Sequence, residues 1–562
     1  MKLGGIVFAL ALVVCLQAYT TGQQDTSAAA QELYEVTVMI PSVHFEEPEE
    51  VIARDRVKKH LEERFNFKLN LRSYLGSKDE FGELIIRQMA AGTAPELVNV
   101  GVRWFIDELT WREWIEDEVI VDLGEHVYGD PDRYSTLKKA FDHPVYKLLN
   151  EFWNNDPDKY VAWFSPAFSV RVNGGITFNG YMLEEMGLEV PQTYDQFVTA
   201  MRRAKQELDV YGFGWVSYKA TYWNYVGYNF FDPFGTEIVG TFQDDNGKWY
   251  DATIDPRNRE RWRELQGFMA DGLLDPNWIE NGYDTLSVDF LADKNLSVEY
   301  AAPQPGQYSW AFGLFQKTHP DAIPDKHFVM PPRPLQGPGG HSSHHHNPFG
   351  NSWQWIVPYN VEYPDRIVDF MNFLASDEWQ VMFNYGVKGI HFTKDDLSDF
   401  NEEEFLKDTL IWFPNETTRS QYPWFRWFVN GNQYYSPWEK YGDWIEGIRQ
   451  AAGNYPYQQR HATSPAYVYG ASVTKTYEQE STILNPLYYS FISWTNDEIQ
   501  IRNKLNDVRN KWFTLFLTGQ ENLDAGWDNF VKEYKATGAD QIVAAYGQKV
   551  AEAKAFYEKY VK

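Results

Sequence analysis

The sequence predicts an α/β protein made of two successive doubly wound units. Three observations carry that reading. Apolar residues switch repeatedly between alternate and helical spacing from Val36 to Val102, and the same switching restarts near Tyr160. The chain's 562 residues fit two or three large units of roughly 100 to 200 residues each. A hydrophobic content of 43% suffices for cores of that size.

Val36, Val38 and Ile40 alternate as in a strand, Val57, Leu61 and Phe65 recur as on a helix, and Phe67, Leu69 and Leu71 alternate again. Phe81, Leu84, Ile85 and Met89 then mark a helix closed by Gly92, and Leu97 to Val102 a short strand. Strand, helix, strand, helix, strand within so short a stretch implies a mostly parallel sheet with right-handed crossovers. In such sheets ligands sit beyond the carboxyl ends of the strands, here Pro41 to Phe45, Ser73 to Leu75 and Gly101 to Trp104. The second unit shows strands at Tyr160 to Trp163, Gly175 to Phe178 and Gly212 to Ser217, with helices at Leu183 to Met186, Tyr194 to Leu208 and Arg259 to Met269. Asp244 to Lys248 has a type I′ hairpin signal in Asn246-Gly247. Pro331 to Gly350 is expected as a loop, followed by a strand at Trp353, Trp355 and Val357 and a helix through Ile367, Phe370, Met371 and Leu374. The tail is helical, with Ile501, Leu505, Val508, Trp512 and Leu515 on one face and Val543, Tyr546, Val550, Ala553 and Tyr557 on another.

The amino terminus is a charged start followed by an apolar run from Ile6 to Leu16, too short for the roughly 20 residues a membrane span requires, and it is expected to be a secretory leader. Leu12-Val13-Val14-Cys15 resembles a bacterial lipobox, which implies acylation at Cys15; Val14 departs from the usual small residue, and a cut after Ala18 would instead release a soluble chain. Residues 1–18 are thus expected to be the leader and 19–31 a polar spacer, so the body is expected outside the cytoplasm, in the periplasm or on the outer face of the cell membrane, held by a lipid anchor. Cys15 is the only cysteine, so packing rather than disulfides must stabilise the body.

A net charge of −28 argues against nucleic acid as a partner. The aromatic content is 17%, more than a core of aliphatic residues needs. Sugar rings stack their C–H faces on indole and phenol, so part of that excess fits a carbohydrate cleft.

Four segments carry a resemblance: Ala90-Ala91-Gly92-Thr93-Ala94-Pro95-Glu96-Leu97; Gly180 to Phe197, with Gly187, Pro191 and Thr193; Tyr385-Gly386-Val387-Lys388-Gly389-Ile390-His391-Phe392; and Phe516-Leu517-Thr518-Gly519 followed by Trp527-Asp528, Val531 and Gly538. Their order is similar to that of the family 1 extracellular solute-binding proteins of ABC importers, in the long lipoprotein-type branch. Gly92 and Gly187 suit left-handed helix ends, and these positions belong to the fold rather than to a site. The resemblance implies a two-lobed, periplasmic-binding-protein-like (type II) α/β fold with extra C-terminal helices. Lobe 1 is expected at 31–165 plus 350–470, and lobe 2 at 166–349 plus 471–562. It further implies a non-catalytic, monomeric receptor, without a cofactor, that closes on an oligosaccharide and passes it to the transmembrane subunits of an ABC permease.

Candidate ligand contacts are Arg103 and Trp104 after the third strand, Trp163, Trp223, Tyr225, Tyr308, Trp310, Trp353 and Trp355, the guanidinium forking hydroxyls or a carboxylate and the rings stacking. Long members that bind acidic oligosaccharides carry a calcium loop where this chain has Glu207 to Gly214, which lacks alternating oxygen ligands, so no calcium site is expected. His341, His344, His345 and His346 lack fixed metal-ligand spacing and are expected in a solvated loop. The other classes open at this point are a secreted glycosidase, whose paired carboxylates no motif reveals, and a receptor for a peptide or other polar solute.

Overall fold

The computed structural model describes residues 33–41, 48–74, 78–102, 105–154, 156–166, 171–173, 175–217, 220–221, 223–244, 246–282, 288–299, 305–347, 352–376, 378–379, 382, 387–389, 465–483 and 486–561. The leader, Cys15, the spacer and most of the Tyr385 to Phe392 segment lie outside them.

The first sheet has the order β2-β1-β3-β13-β4. Its first three strands, β1 (Glu35–Pro41), β2 (Lys68–Tyr74) and β3 (Leu97–Val100), are connected by α1 (Pro48–Phe65) and α2 (Lys78–Ala90), in the order the apolar spacing predicts. Strand β1 pairs in parallel with β2 and β3. Val36, Val38, Leu69, Leu97 and Val98 on the strands and Val57, Leu61, Phe81, Ile85 and Met89 on the helices are buried together. Gly92 takes φ 62°, a conformation only glycine adopts cheaply, and ends α2 as expected. Four further helices, α3 (Glu108–Glu116), α4 (Leu123–Gly129), α5 (Ser135–Phe141) and α6 (Pro144–Asn154), lead to β4 (Trp163–Pro166). β13 (Ser352–Ile356) lies between β3 and β4, antiparallel to both.

The second sheet, of order β11-β6-β10-β7, contains β6 (Thr177–Asn179), β7 (Tyr211–Trp215), β10 (Asn295–Glu299) and β11 (Phe328–Val329). Only β10 and β7 are parallel; β6 runs against β10 and β11. Both sheets are therefore mixed, where a mostly parallel pattern is expected from the βαβ spacing of the first three strands alone. Helices α7 (Gly180–Glu185), α8 (Tyr194–Arg203), α9 (Asn224–Phe230), α10 (Asn258–Ala270) and α11 (Pro305–Thr318) surround it. The hairpin β8 (Thr241–Gln243) and β9 (Trp249–Asp251) forms as predicted, but Gln243 pairs with Trp249 and the Asp244 N–H donates to the Lys248 carbonyl. This is a three-residue loop with Gly247 at φ 76° rather than a type I′ turn.

Two strands lie, in the chain, between the two sheets. β5 (Arg171–Asn173) follows β4 and precedes β6, while β12 (Ser343–Asn347) follows β11 and precedes β13. They pair antiparallel with each other, and β14 (Thr482–Ile483) joins β12. His344, His345 and His346 thus lie in a strand, not in the loop the Pro/Gly/His composition suggests, because β5 pairs with His345 and His346 and β14 with His344.

α12 (Pro364–Leu374) packs on the first lobe through α4 and α5, where Arg133 forks Asp369 and His126 meets Asp365 at 2.7 Å. α13 (Pro465–Glu480) packs on α11. The chain closes with α14 (Asn496–Leu517), α15 (Leu523–Ala536) and α16 (Ala539–Val561). No described helix is long and apolar enough to cross a membrane.

Candidate functional site

The carboxyl ends of the parallel strands are where this architecture offers a ligand its backbone and side chains. Beyond β3 the chain makes a tight turn in which the Gly101 carbonyl accepts from Phe105 N at 2.7 Å and Ile106 N at 3.2 Å. The fully buried Gln354 of β13 holds that turn from the sheet side, its Oε1 accepting from Val102 N at 3.0 Å. α2 holds it from above: any side chain at Gly82 would run into the Phe105 carbonyl. α3 then starts under an Asp107 cap that accepts from Leu109 N and Thr110 N. Arg103 and Trp104, between these fixed points in sequence, lie outside the described residues. Gln354 is a residue the sequence reading missed; a polar residue between two alternating tryptophans is the signal that was there.

At the matching end of the second sheet, Trp215 of β7 and Glu299 of β10 stand opposite each other in register, both fully buried. Glu299 Oε2 accepts from Asn229 Nδ2 at 3.0 Å, and Asp232 and Glu237 are buried too. Burial, then these three carboxylates, pushes the Tyr228 phenol well above its ordinary pKa. Burial and then Glu299 do the same to Tyr477 of α13. Both phenols stay neutral hydrogen-bond donors at any physiological pH. Trp215 stacks on Phe213 and Trp278, their centroids 5.9 and 5.5 Å away.

Of the predicted contacts, four are core residues. Trp163 and Trp355 face each other in the β4–β13 register and are buried. Trp223 is buried among Trp262, Trp278 and Phe513, and its indole N–H donates to Asn510 Oδ1 at 3.2 Å. Tyr308 is buried, with its hydroxyl against the Pro324 and Phe328 carbonyls. Their rings are covered by protein on both faces, so packing replaces the stacking role expected of them. Tyr225 is half-buried between the two core clusters, at the start of the helix that follows β7. Trp310 lies on α11 and Trp353 on β13. His341 sits against Gly235 and Gly339. Among the described residues no group of three or more His, Cys, Asp or Glu is arranged to hold a metal ion.

Residues 74–381, more than half of the chain, match the model of the bacterial extracellular solute-binding proteins, and the chain belongs to that family. No curated protein matches it by sequence. Among solved structures it is similar to the alginate-binding protein AlgQ2, at 15% identity and a TM-score of 0.61 over 92% of this chain and 98% of that one. It is also similar to the S. pneumoniae ABC-transporter substrate-binding protein FusA in complex with kestose, at 16% identity and a TM-score of 0.64 over 93% and 100%. An HMO-binding solute-binding protein from Bifidobacterium longum infantis matches at 15% identity and a TM-score of 0.55 over 94% and 99%. At these identities the likeness is one of fold, and it is the two-lobed fold of periplasmic binding proteins.

Proposed function

We propose that this protein captures an oligosaccharide between its lobes and delivers it unaltered to an ABC permease. The observation that carries this is the pair of crossing strands, β5 and β12, the links through which two α/β sheets can rotate toward each other. The aromatic excess and the sugar ligands of FusA and the HMO-binding relative support a carbohydrate over other solutes. Contacts are proposed from Arg103, Trp104, Tyr225, Trp310 and Trp353. Lobe 1 comprises about 31–165 and 350–464 and lobe 2 about 166–349 and 465–562. The last boundary follows the packing of α13 on α11, which gives α13 to lobe 2. The leader exports the chain, and acylation at Cys15 tethers it to the membrane as a non-catalytic, monomeric receptor.

A thermal-shift screen of neutral and acidic oligosaccharides tests this. A ligand at 100 times its Kd adds about 2.7 kcal/mol to the folded state, several degrees of Tm for the domains concerned. The expected result is a shift with one sugar class and the sugar recovered intact by chromatography. Cleavage of the sugar, or a shift with peptides alone, would overturn the proposal.

A further inference from the structure

The three C-terminal helices touch both lobes, in two very different ways. Toward lobe 2 the contact is a buried aromatic interface. Trp262 of α10 meets Phe513 of α14 at a centroid distance of 4.4 Å, and Gln266 Nε2 donates to the Phe516 carbonyl at 2.6 Å. Trp249 of β9 meets Tyr546 of α16 at 5.0 Å and lies so close to Gly547 that no side chain fits there. Toward lobe 1 the contact is small and partly solvated. Arg112 of α3 donates to Asn496 Oδ1 at 2.9 Å, at the first turn of α14. Glu151 of α6 accepts from Lys559 Nζ at 2.7 Å and from the Tyr560 hydroxyl, near the end of α16. Phe152 stands between Phe491 and Phe556, 5.3 and 6.3 Å away. The short helical turn Leu487–Phe491, which leads into α14, also touches crossing strand β12.

An interface of interdigitated buried rings holds its parts together as one body, whereas exposed ion pairs contribute little and break readily. We propose that α14–α16 travel with lobe 2, and that the Glu151–Lys559–Tyr560 and Arg112–Asn496 contacts around Phe152 form a clasp that fixes lobe 1 in one orientation. This rests on the two-lobe closure proposed above. In this account the clasp, lying next to the crossing strands, sets the ligand-free balance between lobe orientations without touching the ligand.

The test places spin labels on the full chain with Cys15→Ser, so that introduced cysteines are the only thiols. One pair, Glu83→Cys and Asp321→Cys, reports lobe 1 against lobe 2; a second, Asp321→Cys and Asp528→Cys, reports lobe 2 against α15. Glu151→Gln and Phe152→Ala are compared with the unaltered clasp, with no sugar present. The expected result is a new distance population for the first pair in both variants and an unchanged distribution for the second. An unchanged first distribution in Glu151→Gln, the variant that keeps the side chain's shape, overturns the clasp. So does a second distribution that changes along with the first. Adding kestose and the other screened sugars separates the two readings. A first-pair distance that moves with a sugar but not with the variants defeats the clasp and leaves lobe closure standing. A first-pair distance left unchanged by a sugar that the thermal-shift screen shows to bind defeats closure itself.

Discussion

An indole suits a core and a sugar site equally well, so residue type alone does not separate Trp223, packed against three other rings, from Tyr225, two positions on and half-buried. Trp223→Ala is accordingly expected to cost about 3–5 kcal/mol of stability, as truncations of large buried rings do. Tyr225→Ala is expected to weaken sugar binding about tenfold with a much smaller loss in Tm. Urea unfolding beside isothermal titration separates the two, and the reverse pattern would exchange their roles. The glycines were readable because their constraint is local: Gly92 and Gly187 both sit at positive φ, at helix ends. His327 supplies a pH prediction. Its imidazole stacks on Tyr181 at 4.0 Å and its Nδ1 accepts from Ile323 N, so it must be neutral. Burial, and then the neighbouring Lys326, holds its pKa below the ordinary imidazole value. The native state therefore binds fewer protons than the unfolded chain just below about pH 6.5. This contribution is complete above that pH and is lost as the pH falls through the lowered native value. His327→Gln should flatten the fall in stability between about pH 7 and 5; an unchanged slope would remove His327 as its source.

Among elements, those with strong periodicity were foreseen and those paired by distant strands were not. The β1-α1-β2-α2-β3 succession and the long tail helices follow from local apolar spacing. β10 escaped notice because Asn295, Ser297 and Glu299 give it a polar pattern, yet all five of its residues are buried between β6 and β7. Two of its polar side chains find partners only in three dimensions: Ser297 Oγ donates to the Gly212 carbonyl at 2.6 Å and Glu299 Oε2 accepts from Asn229 Nδ2. β12 was obscured in the same way by its histidines and flanking glycines, and β5 is what makes it a strand. α14 is capped by Thr495, whose side chain accepts from Glu498 N while the Glu498 carboxylate accepts from Thr495 N. Thr495→Ala is expected to lower stability by about 0.5–2 kcal/mol in chemical denaturation. Thr495→Asp should restore most of it, and equal losses in both variants would show that the cap is not what matters there.

On the scale of the whole molecule, family and fold agree with the order of the sequence motifs, while the ligand is a proposal. The segments 42–47, 75–77 and 103–104, which follow β1, β2 and β3 in the chain, lie outside the described residues. The candidate site was less legible than the scaffold because, in this architecture, ligand groups sit on short segments beyond the strand ends, and apolar spacing carries no record of what such segments face. Capture of an oligosaccharide, as proposed, therefore depends on relative motion of the lobes about β5 and β12. Small-angle X-ray scattering of the full chain across an oligosaccharide titration measures it directly. The predicted result is a fall in radius of gyration that saturates with binding, the sugar remaining intact. Saturated binding at a constant radius of gyration would contradict it.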